Sequence, residues 1–154
     1  MNASQSGSPA PLIVEITSFS FKEPLPPHLF SNDGGRHGGG FVFDCRSLPN
    51  PGREDRFKTQ TGLDEAVRQY LLACREVAQF RDSVLGLVDP AVRNFLDRKF
   101  TFMNVSFGCT GGQHRSVFFA EELSRHLLAT YPSQVAPSVD HYNLKAKGFI
   151  SRGS

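Results

Sequence analysis

The run Phe107-Gly108-Cys109-Thr110-Gly111-Gly112-Gln113-His114-Arg115-Ser116 constrains this chain more than any other. An apolar, β-favouring segment, Phe100 to Phe107, precedes it. An amphipathic segment, Ser116 to Thr130, follows, with Ala120, Leu123 and Leu127 on one helical face. A strand that turns through glycines straight into a helix leaves several N–H groups without intrahelical partners, directed the same way. The helix dipole adds partial positive charge there, and His114 and Arg115 add donors and full charge. The turn is therefore expected to hold a phosphate, the plainer alternative being a tight glycine turn with no ligand.

Other periodic segments set the architecture. Pro11 to Thr17, Gly40 to Phe43 and Gln134 to Val139 read as short strands, in addition to the strand before the glycine turn. Thr61-Gly62-Leu63-Asp64 opens a helical stretch with Val67, Tyr70, Leu71 and Cys74 at spacings of three and four. A second helix is expected from Glu76 to about Val88, and Pro90 fits the first turn of a further short helix reaching Arg98. Strands alternating with helices predict a single α/β domain with a mostly parallel sheet flanked by helices. Ligands of such sheets bind beyond the carboxyl ends of the strands. Ser18–Lys22, Asp44–Pro51 and Cys109–Ser116 are accordingly expected to converge on one pocket.

The domain is expected to span residues 12–147, with a Pro- and Gly-laden loop insertion at 23–40. Residues 1–11 read as a disordered tail and 148–154 as a polar tail. A net charge of +2 gives no global basic field that would demand a nucleic-acid partner. Cys45, Cys74 and Cys109 lack the paired spacing of a disulfide framework or zinc knuckle, which points to reduced thiols and a cytoplasmic setting. No metal, cofactor or membrane is implied.

Within the turn, the Arg115 guanidinium suits phosphate oxygens in a bidentate fork, against the alternative of a salt bridge to Glu121 or Asp44. Thr110 offers a hydroxyl, and Gly111 and Gly112 permit close backbone approach. Gln113 and Ser116 complete the candidate loop, and His114 either donates to the ligand or acts as a cap. Asp44, at a strand end, either accepts bonds from ligand hydroxyl or amine groups or pairs with Arg46. Lys22, Arg46 and Asn50 are further candidates on the flanking loops. Cys109-x-x-Gly112-x-x-Arg115-Ser116 also fits the spacing of cysteine-dependent phosphatases, in which a thiolate attacks phosphorus above a backbone cradle. Gly108 stands where those enzymes usually carry His, and no carboxylate is evidently placed as general acid, Asp82 falling within a helical pattern. A non-catalytic binding module is the expectation, with the phosphatase as the enzymatic alternative.

Taken together, Phe43-Asp44-x-Arg46-x-Leu48-Pro49-Asn50-Pro51, Thr61-Gly62-Leu63-Asp64 and Gly108-Cys109-Thr110-Gly111-Gly112-x-His114-Arg115-Ser116 resemble the C-terminal domain of the RapZ family of RNase adapter proteins. Ser18-Phe19-Ser20-Phe21-Lys22 resembles the opening of that domain, and the likeness runs from about Ile13 to about Lys147 in the same order. The resemblance implies an α/β domain that binds glucosamine-6-phosphate and, in the full adapter, small regulatory RNA. It implies a pocket at Asp44, Thr110, Gly111, Gly112, His114 and Arg115; sensing of the metabolite is the consequence if occupancy alters a partner-binding surface. The chain departs from the family at Gly52, where His often follows Asn-Pro, and at Gln113, where Lys is common. No Gly-x-x-x-x-Gly-Lys-Ser/Thr run is present, so the nucleotide binding of the family's P-loop domain is not expected of this sequence.

Overall fold

A computed structural model describes residues 10–29 and 39–150. Four strands form one all-parallel sheet: β1 (Leu12–Ser20), β2 (Gly40–Asp44), β3 (Phe102–Cys109) and β4 (Val135–His141), in the order β2-β3-β1-β4. The helices are α1 (Glu65–Leu72), α2 (Arg75–Asp97), α3 (Arg115–Thr130) and α4 (Tyr142–Ala146). The expected single α/β domain with a parallel sheet is the observed one.

Register decides where the loops emerge. Ser20 lies beside Cys109, Asp44 beside Gly108 and Ser18 beside His141, so all four carboxyl ends finish on one edge of the sheet. Val14 and Ile16 of β1 and Val105 and Phe107 of β3 are buried together with Phe119, Leu123 and Leu127 of α3. The face between sheet and helices is aromatic. Phe43 stacks on Phe107 at 5.5 Å, Phe107 on Phe119 at 5.9 Å, and Phe80 meets Phe119 edge-on at 5.1 Å. Burying rings of this size anchors α2 and α3 on the sheet and thereby fixes the start of α3 above its edge.

Several boundaries differ from the sequence expectation. β1 continues to Ser20 and β3 to Cys109, so Ser18 and Cys109 are strand residues rather than loop residues. The two helices expected on either side of Pro90 are one, α2, with Pro90 inside it. Proline removes the bond to the Gly86 carbonyl, but Gly86 and Pro90 are both exposed, which leaves that carbonyl open to solvent. Val84, Val88 and Val92 on the opposite side are buried and keep the helix in line. α4, Tyr142–Ala146, is an element that the sequence expectation lacks. The tail at residues 1–9, the insertion at 30–38 and the terminus at 151–154 lie outside the described residues. The described part of the insertion contains a single 3-10 turn, Pro27–Leu29.

Candidate functional site

Beyond the carboxyl edge of the sheet lies a cleft of about 560 Å³, a size ordinary for small-molecule sites. Its walls come from the loop after β2, the glycine loop after β3, the first residue of α3, the end of α1 and the start of α2. Arg46, Asn50, Thr110 and Arg115 line it together with Arg53, Glu54, Tyr70 and Glu76.

Arg115 opens α3 and is 3% exposed. Its Nη1 donates to the carbonyls of Arg46 and Leu48, both at 2.9 Å, and reaches Cys45 O at 3.5 Å. Neither Glu121 nor Asp44 takes it in a salt bridge; backbone carbonyls do. The other edge of the guanidinium is underused. Nη2 makes a long contact of 3.4 Å to Thr110 Oγ1, and buried Nε has no partner. A buried N–H without an acceptor is costly. Nε and Nη2 share the edge that grips an oxyanion with two parallel bonds.

The second glycine of the loop has no room for a side chain. Gly112 has φ +64°, and a Cβ there would come within 2.9 Å of Ser20 N and 3.1 Å of Asn143 Cβ. The amides of Gly111, Gly112 and Gln113 find no protein acceptor among the described residues. The neighbouring motif Thr61-Gly62-Leu63-Asp64 braces the loop from outside. Gly62 N donates to Gln113 O at 2.9 Å, and a Cβ on Gly62 would lie 2.4 Å from His114 O. Asp64 Oδ2 in turn accepts from Thr61 N at 2.7 Å.

Other expected residues are turned differently. Gln113 points away from the cleft and donates to Lys58 O at 2.9 Å and Gln60 O at 2.8 Å. His114 is 7% exposed and donates Nε2–H to Phe57 O at 2.8 Å. Burial lowers its pKa below the usual imidazole value, and bonds to the Phe57 and Gln60 carbonyls oppose this only in part. Of the two options for Asp44, the ion pair is the one adopted: Arg46 Nε lies 2.9 Å from Oδ1 and Nη2 2.6 Å from Oδ2. That bond lowers the Asp44 carboxyl below its ordinary pKa. Arg46 also covers the Phe21 ring at 4.2 Å, which joins the first loop to the second. Lys22 does not line the cleft; its N–H donates to Ser20 Oγ at 3.0 Å. Asn50 lines it while Oδ1 accepts from Gly52 N at 2.9 Å, capping the short turn Pro51–Arg53.

Cys109 is 2% exposed, with Sγ 3.1 Å from Ser116 Oγ. Cys45 is buried beside it, and desolvation raises its thiol well above the usual range. Asp82 borders a separate cleft between α2 and α3 with Val77 and Phe118, away from Cys109. No group of His, Cys, Asp and Glu among the described residues is arranged to hold a metal ion. None of the described helices is long and apolar enough to cross a membrane.

The sequence reading missed Arg53, Glu54, Tyr70 and Glu76 in the cleft, and Asn143 and Lys147 behind the glycine loop. Asn143 Oδ1 accepts from Ser20 N at 2.7 Å, and Lys147 Nζ donates to Gly111 O at 2.7 Å. The first two follow Asn50-Pro51-Gly52, the one signal that could have flagged them; the others gather only in three dimensions.

A sequence model described as the RapZ C-terminal domain matches residues 12–145. Among curated relatives, a nucleotide-binding protein of Acidothermus cellulolyticus is 36% identical over 143 residues, covering 92% of this chain and 42% of its own length. One from Tolumonas auensis is 39% identical over 117 residues, 76% of this chain and 37% of the relative. One from Pelobacter propionicus is 37% identical over 123 residues, 80% and 39% respectively. The chain thus spans about two fifths of the length of these relatives.

Proposed function

The chain belongs to the RapZ C-terminal domain family, and from that premise we propose that it binds a phosphorylated small molecule in the cleft beside Thr110–Arg115. The observation that carries the reading is the free edge of Arg115. A buried guanidinium whose Nη1 is held by two carbonyls presents Nε–H and Nη2 beside amides that have no protein acceptor. An oxyanion in that position receives charge-assisted bonds from both sources. Binding is non-catalytic in this reading, with Thr110, Gly111, Gly112 and Arg115 on the phosphate.

The carboxylates in the lining favour a sugar phosphate that also bears a donor group, such as glucosamine-6-phosphate. Glu54 and Glu76 both line the cleft, as does Tyr70. The name nucleotide-binding protein belongs to the longer relatives, and this sequence contains no P-loop lysine run through which to inherit it. Occupancy of the cleft ties the loops after β2 and β3 together, which gives a sensing role a physical basis.

Calorimetric titration with glucosamine-6-phosphate, glucose-6-phosphate and inorganic phosphate tests the proposal. Binding of all three with the amino sugar tightest is expected; heat from none of them sinks it. RNA retention that falls steeply with salt would instead favour the adapter role. A phosphatase reading draws on the place of Cys109 at the foot of the glycine loop, where its thiol donates to Ser116 Oγ at 3.1 Å. Turnover of an aryl phosphate that vanishes in Cys109→Ser is its signature.

A further inference from the structure

A trans peptide fixes its N–H opposite its C=O across one plane. Whatever grips a carbonyl therefore also aims the amide that follows it. None of the described peptides is cis. In the glycine loop, Ser20 Oγ donates to Thr110 O at 2.7 Å, which sets the direction of the Gly111 N–H. Lys147 Nζ donates to Gly111 O at 2.7 Å, which sets that of Gly112. Ser20 is fixed for this task. Its oxygen accepts from Lys22 N at 3.0 Å, leaving its own hydrogen for Thr110, and its N–H is held by Asn143 Oδ1 at 2.7 Å.

Both grips come from one side of the loop. Ser20 ends β1, and Lys147 caps α4, which packs against β1. β2 and its loop flank the other side, where Thr110 and Arg115 line the cleft. With both carbonyls drawn toward β1 and α4, the planar peptides turn the Gly111 and Gly112 amides away from those two elements.

We infer that Ser20 and Lys147 are positioning residues that orient the Gly111 and Gly112 amides toward a bound phosphate before it arrives. The inference rests on the phosphate-binding reading above. Lys147 acts here through its bond to Gly111 O rather than through its charge, which separates the idea from general attraction of anions. Preorganised donors bind an anion without first having to reorganise, so loosening them weakens affinity even where every ligand-contacting group remains.

The test is titration of the 154-residue chain with inorganic phosphate, in wild type, Ser20→Ala and Lys147→Met, at low salt and at ~0.5 M sodium chloride, where exposed charges are largely screened. The two variants should bind roughly 3- to 10-fold more weakly than wild type at both salt concentrations. In the ligand-free protein, the nitrogen and proton resonances of the Gly112 amide should shift in Lys147→Met. Lys147→Met alters an exposed contact, so it reports even if Ser20→Ala folds poorly. If the wild type takes no phosphate, the binding reading goes and this inference with it. If the wild type binds and Lys147→Met matches it at high salt with an unmoved Gly112 resonance, the lysine is only a charge and the inference alone is overturned.

Discussion

Arg115 Nη1 donates to Leu48 O at 2.9 Å, joining the first residue of α3 to the loop after β2. Because the same nitrogen also holds Arg46 O at 2.9 Å, one side chain both shapes the cleft and lines it. Replacing it by lysine keeps the charge but cannot satisfy both carbonyls and present a fork. Arg115→Lys is expected to lose about 1–3 kcal/mol of stability in urea unfolding, and phosphate affinity should fall with it. Unchanged stability would mean that the loop carbonyls do not need the guanidinium.

The two adjacent loop glycines should respond differently to alanine. At Gly112, φ is +64° and a Cβ would press on Ser20 N at 2.9 Å; Gly112→Ala is expected to cost about 1–3 kcal/mol. At Gly111 the nearest atom would be Lys147 Nζ at 3.9 Å, so Gly111→Ala should stay within about 0.5 kcal/mol of wild type. Thermal unfolding of the two variants side by side decides the matter, and equal losses would contradict the assigned backbone.

His114 predicts a pH dependence. Its pKa is lowered in the folded chain from an ordinary 6.5, chiefly by burial. Above pH 6.5 both states are neutral there and its contribution to stability is complete. As pH falls, the unfolded chain takes up a proton that the folded chain refuses, so stability declines until the folded pKa is passed. The difference in unfolding free energy between wild type and His114→Gln should therefore shift as pH is lowered from about 7.5 to about 5. A difference that stays flat across this window excludes a depressed histidine.

Glu122 is nearly buried on α3 and meets Arg125 at 2.7 Å, Arg68 at 3.3 Å and Arg81 at 3.4 Å. Removing the carboxylate leaves these guanidinium groups facing one another across α1, α2 and α3. The three arginines keep partial access to water, so Glu122→Ala is expected to cost about 1–3 kcal/mol. Arg125, half exposed, should cost less than about 1 kcal/mol when replaced by alanine. Denaturant midpoints measure both, and a larger loss from Arg125→Ala would reverse the assignment of the network's centre.

The four strands, the parallel sheet and the glycine turn that leads from β3 into α3 were readable from the chain, because hydrophobic period and glycine placement are local properties. Helix continuity through Pro90 was not, since it depends on which side of α2 faces water. The split roles within the loop were not legible either. Gln113 and His114 carry donors as Arg115 does, yet they spend them on the carbonyls of Phe57, Lys58 and Gln60, which approach only after folding. Asp44 met its partner two residues away, but nothing local chose that pairing over a ligand. The sequence by itself determined that an amide-rich turn would stand at a sheet edge. Tertiary structure alone decided which donors remain unspent, because that depends on acceptors brought in from β1, α4 and the loops around residues 46–60.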